Sequence, residues 1–274
     1  MCGITGIFAY TDTHKIWPEE SLDSMIEAIK HRGPDGSGKH IEQGFFLGHT
    51  RLAVIDLSPA GRQPMFSADK RYVISFNGEI YNFREIREEL LNLGHKFMSS
   101  SDTEVLLSAW QEWGEACLDK LNGIFAFAIF DRYEKRLFLV RDHIGVKPLF
   151  YTVHHDQIFF ASELMALFGP LNPCTDVNTE DLDAYFTFNY LPAPRTGLKG
   201  VYQIPPGCIL TVNRHGVSLR RYWKPMYKTD IQQRSREQTA RFEELLSSAV
   251  KSQLVSDAPL GLFLSGGLDS FAVA

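Results

Sequence analysis

Residues 123–130, GIFAFAIF, carry no polar side chain. A strand with one face in water alternates apolar and polar residues, so an unbroken apolar run of strand length predicts a strand covered on both faces. Such a strand needs a packed layer above it and another below. Short runs rich in Phe, Val, Ile and Leu recur around it, at 44–52, 71–76, 136–141, 149–153 and 157–161. Turn residues such as those at 131–135 separate them.

Helical patterns interrupt these strands. Residues 18–29 place Leu22, Met25, Ile26 and Ile29 on one stripe, and 83–93 place Phe83, Ile86, Leu90 and Leu93 on another, with Gly94 as a stop. Ser101-Asp102-Thr103-Glu104 reads as a capping box in which Glu104 reaches back to the cap. The helix it opens carries Val105, Leu106, Ala109, Trp110 and Trp113 and ends at Gly114. Residues 179–188 form a further helix, and 200–223 read as three strands separated by turns at Pro205-Pro206-Gly207 and His215-Gly216. Composition then changes. Residues 226–240 are polar and charged without an apolar stripe, and read as a linker between a domain at 1–225 and the start of another at 241–274. In that last part Phe242, Leu245, Leu246, Ala249 and Val250 mark a helix, and 260–264 a short apolar strand leading into Ser265-Gly266-Gly267. A mixed layered β/α domain followed by the beginning of a parallel α/β domain is the expected organisation.

Bulk numbers exclude several classes. A chain of 274 residues is comfortable for two domains, and 44% hydrophobic residues support a sizeable core. A net charge of -5 offers no basic footprint for nucleic acid or a membrane surface. No apolar run approaches the ~20 residues needed to span a bilayer, and no secretory leader is visible at the N-terminus. Cys2, Cys117, Cys174 and Cys208 are far apart with no CxxC pair, which argues against a disulfide framework or a zinc site and for a reducing cytoplasm.

Cys2 becomes the first residue if Met1 is removed. It then carries a thiol and a free α-amine a few ångströms apart. That amine titrates near pH 8 and can serve as the base for its own nucleophile. Taken singly, the other polar candidates have structural readings. Arg51 reads as a surface arginine at a strand end, Asn77-Gly78 as a type I′ hairpin turn, and Asp102 as a first-turn carboxylate favouring the helix dipole. His31 and His49 read as hydrogen-bonded structural residues, and no histidine–carboxylate spacing looks like a metal site.

Together the motifs read differently. Met1-Cys2-Gly3-Ile4, His31-Arg32-Gly33-Pro34-Asp35-Gly36, Arg51-Leu52-Ala53-Val54-Ile55-Asp56, Asn77-Gly78-Glu79-Ile80-Tyr81-Asn82 and Ser101-Asp102-Thr103-Glu104 occur in this order, and the region resembles a class II glutamine amidotransferase domain. The resemblance implies an α+β fold, the N-terminal-nucleophile hydrolase sandwich of layers αββα. It implies Cys2 as the nucleophile that hydrolyses a glutamine side-chain amide. The Asn77 side chain and the Gly78 N–H are then the oxyanion donors; losing one such donor typically costs ~10²–10³ in rate. Arg51 is implied to grip the glutamine α-carboxylate as a bidentate fork, with Glu79 and Asp102 at its ammonium end and Leu52 and Ile55 among the contacts. Arg141-Asp142-His143-Ile144-Gly145-Val146-Lys147-Pro148 also matches the family, and reads as a turn in which Arg141 and Asp142 satisfy buried polar groups. Ser162-Glu163 matches too, without an evident role.

Leu264-Ser265-Gly266-Gly267-Leu268-Asp269-Ser270 bears on where the ammonia goes. A strand, a glycine-rich loop and a helix beginning near Asp269 can hold a pyrophosphate. The sequence SGGLDS differs from the GxxxxGK[ST] loop and resembles the pyrophosphate loop of ATP pyrophosphatases, with Leu264, Ser265, Gly266, Gly267, Asp269 and Ser270 as the implied ATP contacts. A class II glutaminase followed by this loop resembles glutamine-hydrolysing asparagine synthetases. Those use ATP and Mg²⁺ to activate aspartate as an adenylate that ammonia displaces. Glutamine, aspartate and ATP are the implied substrates, with a homodimer among the assemblies the resemblance allows and no metal ligand set visible in the chain. The ATP pyrophosphatase architecture needs more parallel strands than are visible here, so the chain reads as the N-terminal piece of a longer protein. Relatives with the same two halves amidate sugar acids or other metabolites, and a non-catalytic homologue is a third reading. The SGGLDS loop argues against glucosamine-phosphate synthase and the purine-pathway amidotransferase, which share only the first half.

Overall fold

A computed structural model describes residues 1–12, 16–168, 176–227 and 236–274. The elements run β1 (Gly3–Ala9), α1 (Glu19–Glu27), β2 (Gly36–Glu42), β3 (Phe45–Arg51), β4 (Met65–Phe66), β5 (Tyr72–Ile80), α2 (Phe83–Asn92), α3 (Asp102–Trp113), β6 (Gly123–Asp131), β7 (Arg136–Arg141), β8 (Phe150–His154), β9 (Gln157–Ala161), α4 (Met165–Phe168), α5 (Leu182–Phe188), β10 (Val201–Gln203), β11 (Cys208–Asn213), β12 (Gly216–Arg221), α6 (Arg236–Ser252) and α7 (Leu268–Val273).

The strands form two six-stranded sheets, one in the order β10-β8-β9-β1-β3-β2 and the other β12-β11-β7-β6-β5-β4. Neighbouring strands pair antiparallel throughout. The apolar run at 123–130 is the inner strand β6, and both its faces are covered. Ala126, Ala128 and Phe130 point between the sheets, against Phe8, Phe45 and Leu47 of the first sheet. Phe125, Phe127 and Ile129 point outward, under Ile86, Leu90, Val105 and Trp110 of α2 and α3. Between the sheets the Phe45 and Phe130 rings stack with centroids 3.9 Å apart. On the far side Leu22 and Met25 of α1 cover Ile7, Phe46 and Phe159. Helix, sheet, sheet and helix therefore succeed one another, the expected αββα sandwich.

Local departures have local causes. Strands β1 and β2 were not legible in sequence. Residues 3–9 contain two glycines, and 36–42 form a largely exposed polar edge strand, so neither run carries a strand-like apolar signature. Strand β5 continues beyond residue 76 to Ile80, so Asn77 and Gly78 lie inside a ladder, opposite Ala126 and Phe125, rather than in a hairpin turn. On α2, Phe83, Ile86 and Leu90 are buried, but the helix ends at Asn92 and Leu93, just past it, is exposed. Ser101 caps α3 as expected, accepting from Thr103 N at 3.1 Å. Glu104, however, reaches past the cap to Met98 N at 2.8 Å and Ser99 N at 2.7 Å.

Residues 260–264 do not form the expected strand. Among the described residues they have no strand beside them, and Leu260, Leu262, Phe263 and Leu264 are all exposed. Strand geometry needs a ladder partner. Part of the expected 226–240 linker, and Cys174, lie outside the described residues. Cys2, Cys117 and Cys208 are free thiols, and no helix among the described residues is long and apolar enough to cross a membrane.

Phe130→Ala removes the ring that joins the two sheets and should cost about 3–5 kcal/mol in urea denaturation. Met98→Ala, at a position 90% exposed, should stay within about 0.5 kcal/mol of the parent.

Candidate active site

Cys2 immediately precedes β1, which is hydrogen-bonded on both edges, to β3 and to β9. Two motif pairs clamp this start. Arg32 Nε donates to the Cys2 carbonyl at 2.9 Å, and its Nη1 to Glu163 Oε1 at 2.7 Å. His31 Nε2 lies 3.0 Å from the same carboxylate oxygen. Ile4 N donates to Ser162 Oγ at 3.0 Å, and Ser162 N to the Ile4 carbonyl at 2.8 Å. Ser162-Glu163, without an evident role in sequence, thus holds the N-terminal strand. His49 is buried with Nδ1 2.9 Å from Ser75 Oγ, and burial lowers its imidazole to about 3, with Arg51 adding to the effect.

The Cys2 thiol receives Leu52 N at 3.3 Å. Burial pushes its pKa up, and the Leu52 hydrogen bond only opposes that rise. A thiol in this state needs a base to become a nucleophile.

One cleft, with about 350 Å³ of empty space that includes open solvent, is lined by Cys2, Arg51, Leu52, Ile55, Glu79 and Asp102. Val54, Gly61, Gln63 and Ser101 also contribute. Arg51, at the end of β3, donates Nη1 to the Ser58 carbonyl at 3.0 Å and Nη2 to the Asp56 carbonyl. Both acceptors are neutral, so these contacts orient the guanidinium without cancelling its charge. A side chain at Gly61 would run into that guanidinium. Asp56 shapes the supporting loop. Its φ is +54°, and its carboxylate accepts from Ser58 N at 3.0 Å and Ser100 N at 2.9 Å. Burial would raise its pKa, but the Ser58 and Ser100 hydrogen bonds leave it lowered.

The opposite charge comes from Glu79 in β5 and Asp102 at the start of α3. Asp102 is 5% exposed, and its Oδ2 accepts from Ile80 N at 3.1 Å. Burial raises its pKa to about 7, and the Glu79 carboxylate adds to the rise. Burial raises Glu79 too, with Lys147 opposing. One unneutralised cation and two strained carboxylates therefore share a cleft with a cysteine.

Asn77 and Gly78 lie in the strand leading to this cleft rather than among its lining residues. Asn77 is buried and its Nδ2 has no hydrogen-bond partner, a donor held ready for an acceptor. Gly78 has no unusual φ. It must be glycine because a Cβ would collide with the Ile124 carbonyl of β6.

Residues 264–270 do not line the Cys2 cleft. They form an exposed turn in which Ser265 Oγ is 2.7 Å from Ser270 Oγ, Gly266 has φ +80°, and Gly267 caps a helix starting at Leu268, one residue earlier than expected. A Cβ at Gly266 would meet nothing within 4 Å, so the turn is sterically open.

Sequence reasoning missed two contributors, Gln63 and Asp257, and gave no role to a third, Asp56 of the Arg51 motif. Gln63 clamps β5, accepting from Phe76 N at 2.6 Å and donating to Thr103 Oγ1 at 3.3 Å. Asp56 holds the Arg51 loop. Asp257, from the C-terminal part, accepts from Asp56 N at 2.7 Å and donates its own N–H to the Val54 carbonyl at 2.9 Å. Gln63 and Asp257 carry no local signature, because their partners are distant in sequence; Asp56 does bond Ser58 two residues on, but its contacts to Ser100 and Asp257 are long-range.

The arrangement is a cysteine at the head of a strand that is paired on both edges within one of two facing sheets, beside a cleft carrying both signs of charge. Residues 1–223 match the family model of the glutamine amidotransferase domain, and residues 241–274 that of asparagine synthase. The chain belongs to the glutamine amidotransferase domain family. Glutamine-hydrolyzing asparagine synthetase 3 of Bacillus subtilis is 41% identical over all of this chain and 44% of its own length. Asparagine synthetase 1 of the same organism is 37% identical over 98% of this chain and 43% of its own. A putative asparagine synthetase of Methanocaldococcus jannaschii is 34% identical over all of this chain and 56% of its own. The chain thus spans about half the length of these curated relatives. The glutamine phosphoribosylpyrophosphate amidotransferase of B. subtilis superposes with a TM-score of 0.61 at 20% identity, over 82% of this chain and 50% of that one; it shares the fold.

Asp102→Asn should separate the cost of the buried carboxylate from its use. The folded pKa of Asp102 is raised, to about 7, above the ordinary value of about 3.9. The native state therefore binds the proton more tightly, and stability falls as pH rises between these values. The melting-temperature advantage of the Asn variant should be absent near pH 4, grow toward pH 7 and level off above it.

Proposed function

We propose that this chain hydrolyses free glutamine and feeds the ammonia to an ATP-driven amidation, with aspartate as the acceptor. The observation that carries the first half is the shared cleft. Arg51 offers an uncompensated cation for the α-carboxylate, Asp102 and Glu79 offer carboxylates for the α-ammonium, and the Cys2 thiol lies between these demands. An ammonium at Asp102 would offset, by charge pairing, the desolvation that raises its pKa. The α-amine of processed Cys2 takes the thiol proton as sulfur attacks the amide carbon. Asn77 Nδ2 and the Gly78 N–H stabilise the resulting oxyanion. The protonated amine then gives its proton to departing ammonia, leaving a thioester that water cleaves to glutamate.

The second half is supported by the asparagine synthase match at 241–274, the names of the relatives and the SGGLDS turn. In this reading residues 1–225 are the glutaminase, 226–240 the linker and 241–274 the start of the synthetase part. The open glycine turn, with the Ser265 and Ser270 hydroxyls on one side of it, fits the chemistry of a phosphate chain. When bound, ATP supplies the adenylate leaving group. Leu264, Ser265, Gly266, Gly267, Asp269 and Ser270 would contact the nucleotide. Among the described residues no group of three or more His, Cys, Asp or Glu is arranged to hold a metal, so no step is assigned to Mg²⁺ here. The free, widely spaced thiols fit a reducing cytoplasm.

Intact-mass measurement should show Met1 removed; the residue is 56% exposed. A glutamine-mimicking electrophile should label Cys2 and spare Cys117 and Cys208. In the full-length protein Cys2→Ala should abolish glutamate release while asparagine still forms from supplied ammonia. Persistent glutaminase activity would overturn the nucleophile. AMP release with another carboxylate and none with aspartate would overturn the acceptor. Arg51→Met should raise KM for glutamine by about 100-fold or more, the loss of a charge-assisted bidentate contact.

A further inference from the structure

Lys147 lies in the loop between β7 and β8, and its side chain is buried, with only 8% of the residue exposed. The loop is rigidly built. Asp142 Oδ1 accepts from Gly145 N at 2.7 Å and Val146 N at 2.9 Å, and its Oδ2 accepts from Lys147 N at 3.0 Å. Arg141 donates Nε to the Lys147 carbonyl at 2.8 Å. The Lys147 ammonium is thereby aimed at the chain terminus, where Nζ lies 3.6 Å from Met1 Sδ. Among the described residues no carboxylate stands within ion-pair distance of it. A structural lysine would be expected to end on a carboxylate or in water. This one ends on a residue that processing takes away.

We propose that Lys147 is a positioning residue for the glutaminase step: once Met1 is removed, its ammonium faces the α-amine of Cys2 and holds that amine in its proton-accepting form. The inference rests on the glutaminase reading. The terminal ammonium is already disfavoured in the unprocessed chain. Burial lowers its pKa most, and Arg32 and Lys147 both add to the lowering, while the Cys2 thiol and Asp35 oppose it. Removal of Met1 transfers the amine to the Cys2 nitrogen, one residue nearer Arg32, which is bonded to the Cys2 carbonyl. Arg32 is itself paired with Glu163, and Glu163 with His31, so its charge is partly compensated. Burial, then Arg32, lower the Lys147 pKa, and Glu79, the Cys2 thiol and Asp142 act to raise it. Arg51 and Asp102 act on the Cys2 sulfur with opposite signs. Lys147 is thus a second cation beside the terminus, with no directly bonded counter-ion. A neighbouring like charge within ~4–6 Å moves a titration by about one unit or more.

The test is the pH dependence of glutamate release in the full-length protein, for the parent, Lys147→Met, Lys147→Gln and Lys147→Arg, with Met1 removal verified by mass in each. The base must be unprotonated to act, so activity falls on the acid side of its pKa. Both neutral variants should move the acid limb of kcat/KM upward by about one pH unit, lowering kcat/KM about tenfold at the foot of that limb. Lys147→Arg should keep the parental limb. A direct measurement does not depend on turnover: the ¹⁵N shift of the Cys2 amine should titrate below the ordinary ~7.7–8.0 in the parent. A parental amine titrating at or above that value, or neutral variants with an unmoved limb, would overturn the proposal. A parent that releases no glutamate, or a Cys2→Ala variant that still does, would instead overturn the glutaminase reading beneath it.

Discussion

Everything at this site depends on a chain terminus being held where termini normally fray. The first residues of a domain are usually loose unless a sheet ties them down. Here β1 is laddered on both edges and its side chains close the layer between the sheets and the layer under α1. Arg32, Glu163 and Ser162 then lock its first residues from the side. In the proposed function Cys2 is both nucleophile and N-terminal amine, and the fixed strand behind it is what would aim it.

The cleft in front of that strand is electrostatically expensive. Arg51 is oriented by neutral carbonyls, while burial raises both Glu79 and Asp102 and the Glu79 carboxylate adds to the rise at Asp102. In an empty site these groups cost stability, and a zwitterionic amino acid would compensate both signs at once. This is the ordinary trade between a stable core and a preorganised site. The thiol follows the same logic. Burial disfavours its thiolate, and in the proposed function the terminal amine is the proton acceptor.

The loop that orients Arg51 is also held by Asp257, far along the chain. Asp56 bridges to Ser58 and Ser100 with its carboxylate, and its backbone N–H is taken by Asp257, which also bonds the Val54 carbonyl. The residues that shape one wall of the cleft are thus fixed in part by a segment more than two hundred positions later. No reading of residues 51–56 alone could have found that contact, and Gln63, buried against Phe76 and Thr103, was equally silent.

Periodicity and punctuation made most elements legible. The double-sided strand at 123–130, the stripes of α1 and α3 and the turns around β11 follow from side-chain patterns within a few residues, and those patterns are local physics. The motif set identified the family and drew attention to Cys2, Arg51, Asn77, Glu79 and Asp102. Sequence could not reveal that the glycine-bearing run 3–9 is a central strand, nor that Asn77-Gly78 continues β5 instead of turning. It could not show that Lys147 ends on Met1. Those outcomes depend on which distant backbone completes a ladder and which distant side chain fills a buried space, and only the folded chain brings such partners together.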